Sequence, residues 1–132
     1  EIARWTVLAA AIEAAATGLV LFARPSWFAR LVFGSEFSDA GSALGRLTAI
    51  ALLGLTLATW PSGAVGPLPS SVRALMTYNV LATIYLLYLA IGHQLTGILL
   101  WPAIALHAIL VIFLGHAWLA KRDRESAEDF SI

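Results

Sequence analysis

The sequence predicts an all-α membrane protein, a four-transmembrane-helix antiparallel bundle with a short interfacial amphipathic segment between helices 1 and 2. Three observations carry this. From Ala74 to Ala120, 47 residues pass without one Asp, Glu, Lys or Arg, enough for two crossings of a hydrocarbon core that takes ~20 helical residues each. Of the 132 residues, 60% are hydrophobic, against roughly 45–50% in soluble domains. Every tryptophan falls near a predicted span end: Trp5, Trp60 and Trp118 toward one side, Trp27 and Trp101 toward the other. Amphipathic rings settle at those two depths.

Taken in order, residues 3–24 form the first span, flanked by Arg4 and Arg24 and stopped by Pro25, which disfavours helix in the residue before it. Its one acid, Glu13, lies among small residues (Ala9, Ala10, Ala14, Ala16, Thr17, Gly18) that let a second helix approach closely, so Glu13 is expected to face protein. The stretch from Pro25 to Asp39 is too short and too charged to span. It reads as an amphipathic helix at the headgroups with Trp27, Phe28, Leu31 and Val32 dipping inward, or else as an ordered flap over the bundle end.

The second span, 40–60, has Ser38 or Asp39 as N-cap and a small-residue row at Gly41, Gly45 and Ala49. Pro61 ends it and opens a Pro- and Gly-rich loop to Ser71. The third span, 72–92, carries Tyr78, Tyr85 and Tyr88 on one face and Asn79 and Thr83 on a neighbouring one. A tight turn at Gly92 to Gly97 leads to the fourth span, 98–119, whose helix starts at Ile98, or at Pro102 if that proline marks its first turn. Together these form one domain over residues 1–120, followed by a solvated polar tail, 121–132. Five basic residues (Arg4, Arg73, Lys121, Arg122, Arg124) lie on the side of both termini against Arg24 and Arg30 opposite, which predicts cytoplasmic termini.

Charge and cysteine content narrow the function. Eight basic and eight acidic residues cancel, so no basic patch suits nucleic acid. With no cysteine, disulfides, thiol redox chemistry and thiolate metal sites are excluded. No metal site is predicted, because no His or carboxylate pair shows ligand spacing on one helix. No haem or other cofactor is predicted either: His93 falls at the outer surface and His116 at the cytoplasmic end, on the face of its helix opposite His107.

What remains is one polar residue inside each span: Glu13, Arg46, Asn79 and His107. A lone charge at the bilayer centre costs ~2.5–3.5 kcal/mol on insertion scales, so Glu13 and Arg46 are expected to pair. Asn79 and His107 would join them as interhelical hydrogen-bonding groups. In the structural reading this cluster only holds the bundle together. In the functional reading Glu13, Arg46, Asn79, Tyr78, Tyr85 and His107 bind the head of a small amphipathic molecule such as a quinone, an isoprenoid or a lipid. Two alternatives stay open: a membrane-embedded isomerase, cyclase or hydrolase with Glu13 and His107 as acid and base, and an oligomeric channel or proton-coupled carrier joined through Gly41, Gly45 and Ala49 or the Ala-rich first helix.

The run Leu44-Gly45-Arg46-Leu47-Thr48-Ala49-Ile50-Ala51-Leu52-Leu53-Gly54-Leu55, the pair Tyr78-Asn79, and Leu99-Leu100-Trp101-Pro102-Ala103-Ile104-Ala105-Leu106-His107 resemble the small four-span, DoxX-like bacterial membrane proteins. The resemblance covers most of the chain and implies a four-helix bundle in a bacterial inner membrane. Cysteines found in some redox-linked members are absent here, and no family active site carries over.

Overall fold

The computed structural model describes residues 2–61, 69–92 and 95–129. They form five α-helices: α1 (Ile2–Ala23), α2 (Pro25–Phe33), α3 (Asp39–Thr59), α4 (Pro69–Ile91) and α5 (Leu100–Asp129). Four are long and apolar enough to cross a membrane. At ~1.5 Å per residue their apolar lengths match a ~30 Å hydrocarbon core. The exterior is apolar, with Ile2, Leu57 and Ile98 each more than three-quarters exposed, while Asn79 is fully buried. Large aliphatic residues outside and an amide inside are what a chain solvated by lipid requires.

α1 packs chiefly on α3 and α4 on α5; α1 also meets α5, and α3 meets α4 more loosely. The first contact depends on small residues. A side chain at Gly18 would press on the Ala49 carbonyl and Leu52, and one at Gly45 on Leu21 and Phe37. The Gly45 and Ala49 part of the small-residue row is therefore used within the chain, Ala49 being wholly buried. Thr56 Oγ1 adds an interhelical hydrogen bond to the Ala11 carbonyl.

The Ser38 hydroxyl accepts from Gly41 N and caps α3, as expected. Pro102 sits in the first turn of α5, where a missing N–H costs nothing. The apolar part of the last helix ends at Ala120, close to the expected end of the fourth span, and the helix itself runs on through the polar tail to Asp129. No Gly or Pro interrupts residues 116–129, so nothing stops the helix where hydropathy falls. The loop residues 62–68, and His93 and Gln94 of the predicted turn, lie outside the described residues.

α2 covers one end of the bundle, which favours the flap reading of this segment. Gly34 ends it in the left-handed region at φ 75°, its N–H donating to the Arg30 carbonyl. The non-helical stretch before α5 then docks on its last turn: Thr96 N donates to the Phe33 carbonyl at 3.2 Å and Leu99 N to the Leu31 carbonyl at 2.8 Å. Gly97 makes this possible, since a Cβ there would overlap the Val32 carbonyl. Pro25, Ala29 and Val32 face the bundle, and Trp27 is exposed on the outer surface. On the solvent face Arg30 pairs with Glu36.

Candidate functional site

Two apolar clusters close the bundle, one at each end. Val7, Ala10, Val72, Leu75, Leu110 and Leu114 form the one near the termini, with Leu55 against it. Val32, Ala90, Leu100 and Ile104 form the other, with Phe28, Phe33, Leu86 and Leu95. Between them lies a polar layer beside a cavity of about 690 Å³.

The polar layer is built from three spans. Asn79 Nδ2 donates to the Leu75 carbonyl one turn back at 2.8 Å, which turns its Oδ1 toward α5. There it lies 2.8 Å from His107 Nδ1. Because a carbonyl oxygen can take only a donor, the amide orientation follows, and with it the tautomer: His107 Nδ1 carries hydrogen and donates to Asn79 Oδ1. The remaining ring nitrogen, Nε2, faces α1, 3.9 Å from Glu13 Oε1. Thr17, one turn after Glu13, donates its hydroxyl to the same Oε1 at 3.0 Å. Glu13 Oε2 is buried and has no hydrogen-bond partner. Tyr78 places its ring edge-on to the His107 ring, centroids 5.6 Å apart.

The cavity lies against this layer. Its walls are Glu13, Thr17 and Leu21 of α1, Leu44, Thr48 and Leu52 of α3, Tyr78, Ala82 and Tyr85 of α4, Leu99 just before α5, and Ala103, Leu106 and His107 of α5. Phe28, Val32, Phe33 and Phe37 roof it, the rings of Phe28 and Phe33 meeting edge to face at 6.0 Å. The cavity exists because α3 and α5 do not pack closely on one another; α1 bridges them behind and α2 above. Leu44 and Tyr85 are each at least 60% exposed, so the cavity opens sideways through the apolar surface.

Of the residues singled out in the sequence, Glu13, Tyr78, Asn79 and His107 come together, and Tyr85 stands at the mouth. Arg46 does not join them. It is exposed, and its Nε donates to the Phe22 carbonyl at 3.4 Å. That carbonyl belongs to the last turn of α1, where backbone acceptors have no intrahelical partner and a cation is favoured. The expected Glu13–Arg46 pair is thus replaced by Glu13–His107. Tyr88 and His116 are exposed, and neither lines the cavity.

Sequence reasoning passed over Thr17 as a partner of Glu13, although an i,i+4 spacing would have found it. It also missed the roof of Phe28, Phe33 and Phe37, whose only signal was aromatic density in a segment too short to span. Among the described residues no three of His, Cys, Asp and Glu gather to hold a metal. Chemically, the Glu13–His107 pair can hold one proton between a carboxyl and an imidazole at an apolar wall. Compared with protein-family models, curated proteins and solved structures, the chain matches none.

Proposed function

We propose that this chain is a membrane-embedded binding protein for a small lipid-like amphiphile. The head group lies against Glu13, Tyr78 and His107, and the apolar tail lies under Phe28, Phe33 and Phe37 and out through the mouth beside Tyr85. One observation carries the reading: a cavity of about 690 Å³ has Glu13, Tyr78 and His107 together at one end of an otherwise apolar wall, and the Glu13 carboxyl has one oxygen without a hydrogen-bond partner. Binding cavities are commonly ~300–1,000 Å³, mostly apolar, with a few convergent polar groups. A buried acceptor left unpaired is costly unless something supplies a donor. We place the protein in a bacterial inner membrane with both termini cytoplasmic, on the basic-residue asymmetry and the DoxX-like layout.

The test is native mass spectrometry of protein released from membranes in mild detergent, on wild type and on Ala82→Phe, which puts an aromatic ring on the cavity wall. An adduct of lipid-like mass on wild type that is lost in Ala82→Phe supports the proposal. Equal adducts on both proteins, or none on either, refute it. The acid and base on one wall favour a second reading, chemistry on the bound molecule. In that case Glu13→Gln would retain a molecule differing in mass or isomeric form from the one on wild type.

A further inference from the structure

We infer that the head group of the bound molecule is an uncharged hydroxyl, so that the cavity selects a long-chain or polycyclic alcohol over a charged amphiphile. The inference rests on the binding role set out above and adds the chemistry of the head. It follows from a proton count. Asn79 Nδ2 is committed to the Leu75 carbonyl, so Asn79 Oδ1 holds the Nδ1 hydrogen of His107. Only Nε2 remains on that ring, 3.9 Å from Glu13 Oε1. Thr17 supplies one donor to Glu13 Oε1, while Oε2 has none.

A single proton shared by the carboxyl and Nε2 leaves the pair neutral, which an apolar wall favours over a lone carboxylate. It makes either a carboxylic acid beside a neutral imidazole or a carboxylate beside an imidazolium, and both states have zero net charge. Among the described residues no Lys or Arg lines the cavity, and Arg46 is engaged at the end of α1. A head group of fixed charge would force the pair away from this neutral count and would carry an ion's desolvation cost to an apolar wall.

A hydroxyl suits both proton states because it donates and accepts. Beside carboxylate and imidazolium it donates to Glu13 and accepts from Nε2; beside carboxylic acid and imidazole it accepts from Glu13 and donates to Nε2. The gap fits as well. One oxygen at a hydrogen-bond distance of ~2.8 Å from each partner spans a 3.9 Å separation. Among the described residues the cavity offers no second polar cluster for a larger head: its remaining walls are aliphatic and aromatic apart from Thr48 and the two tyrosines, Tyr78 and Tyr85.

The experiment uses the full chain in mild detergent with three probes sharing one saturated tail: tetradecanol, tetradecanoate and tetradecylamine. Affinities are measured by competition in native mass spectrometry. Tetradecanol is expected to bind wild type at least about tenfold more tightly than either charged probe, and Glu13→Gln to lower its affinity about tenfold. A charged probe that binds as well as the alcohol, or a Glu13→Gln affinity equal to wild type, overturns the hydroxyl assignment and leaves the binding role standing. Failure of all three probes to bind wild type, with no adduct from the membrane, overturns the binding role itself. Should Glu13→Gln not fold, the ranking of the three probes on wild type decides the assignment.

Discussion

The two ends of this bundle are closed by different means. At the end carrying the termini, all four spans contribute: Val7 and Ala10 from α1, Leu55 from α3, Val72 and Leu75 from α4, Leu110 and Leu114 from α5. At the other end, α4 and α5 contribute Leu86, Ala90, Leu100 and Ile104, but among the described residues α3 contributes nothing, and Phe28, Val32 and Phe33 of α2 take its place. Gly18, Gly45 and Ala49 hold α3 against α1, so it cannot also reach α5. The space it leaves becomes the cavity. A short helix made cheaply from a nine-residue segment does the closing that a spanning helix would do elsewhere, and it closes only the top.

If this contrast is right, truncations at the two ends differ sharply. Leu75→Ala and Leu114→Ala, both at wholly buried positions, are expected to cost about 2–5 kcal/mol in reversible unfolding from mild detergent. Leu106→Ala, on the cavity wall and 45% exposed, should cost about 1 kcal/mol or less. Equal losses at the two sites would mean that the cavity collapses in solution. Next in size is Gly97→Ala. Its Cβ would meet the Val32 carbonyl rather than a movable side chain, so about 1–3 kcal/mol is expected, together with loss of ligand adducts as α2 lifts. Gly115→Ala meets open space and serves as the control; it should be neutral or stabilising by about 0.5–1 kcal/mol.

Asn79→Leu tests the layer between the two ends. It leaves the His107 Nδ1 hydrogen buried without an acceptor, at about 1–3 kcal/mol. Nitrogen NMR of the labelled imidazole should show a protonated Nδ1 in wild type. A neutral ring protonated on Nε2 instead would refute the tautomer and with it the proton count across Glu13 and His107.

Span positions, the Ser38 cap and the convergence of Glu13, Asn79 and His107 were legible in the sequence. Each depends on quantities a sequence encodes locally: apolar run length, cap chemistry, and the depth of a residue along a helix. The cavity was not legible. It follows from which helix pairs pack tightly, which is decided by small residues such as Gly18 meeting Ala49 across the bundle rather than by any local pattern. The docking of α2 was hidden for a related reason: its bonds run from Thr96 and Leu99 N–H groups to backbone carbonyls, and backbone groups have no sequence signature. The apolar part of the last helix ends at Ala120, close to the expected span end, and the helix continues into the polar tail because no Gly or Pro stops it there.

Arg46 is the smallest expected effect and the sharpest test of rotation about a helix axis. Depth along the bundle placed it within reach of Glu13, and the cost of a lone charge in lipid argued for pairing. Depth does not determine which way a side chain points. The last carbonyls of α1 offer an acceptor toward the membrane surface, and a long side chain can reach it while its charge stays near water. Arg46→Gln is therefore expected to cost about 0.5 kcal/mol or less, to leave amphiphile adducts unchanged, and to leave the His107 nitrogen spectrum as in wild type. A loss of several kcal/mol together with an altered His107 spectrum would show that Arg46 turns inward in the bilayer. Glu13 would then be held as a carboxylate by a guanidinium, and the neutral pair at the head of the cavity would not exist.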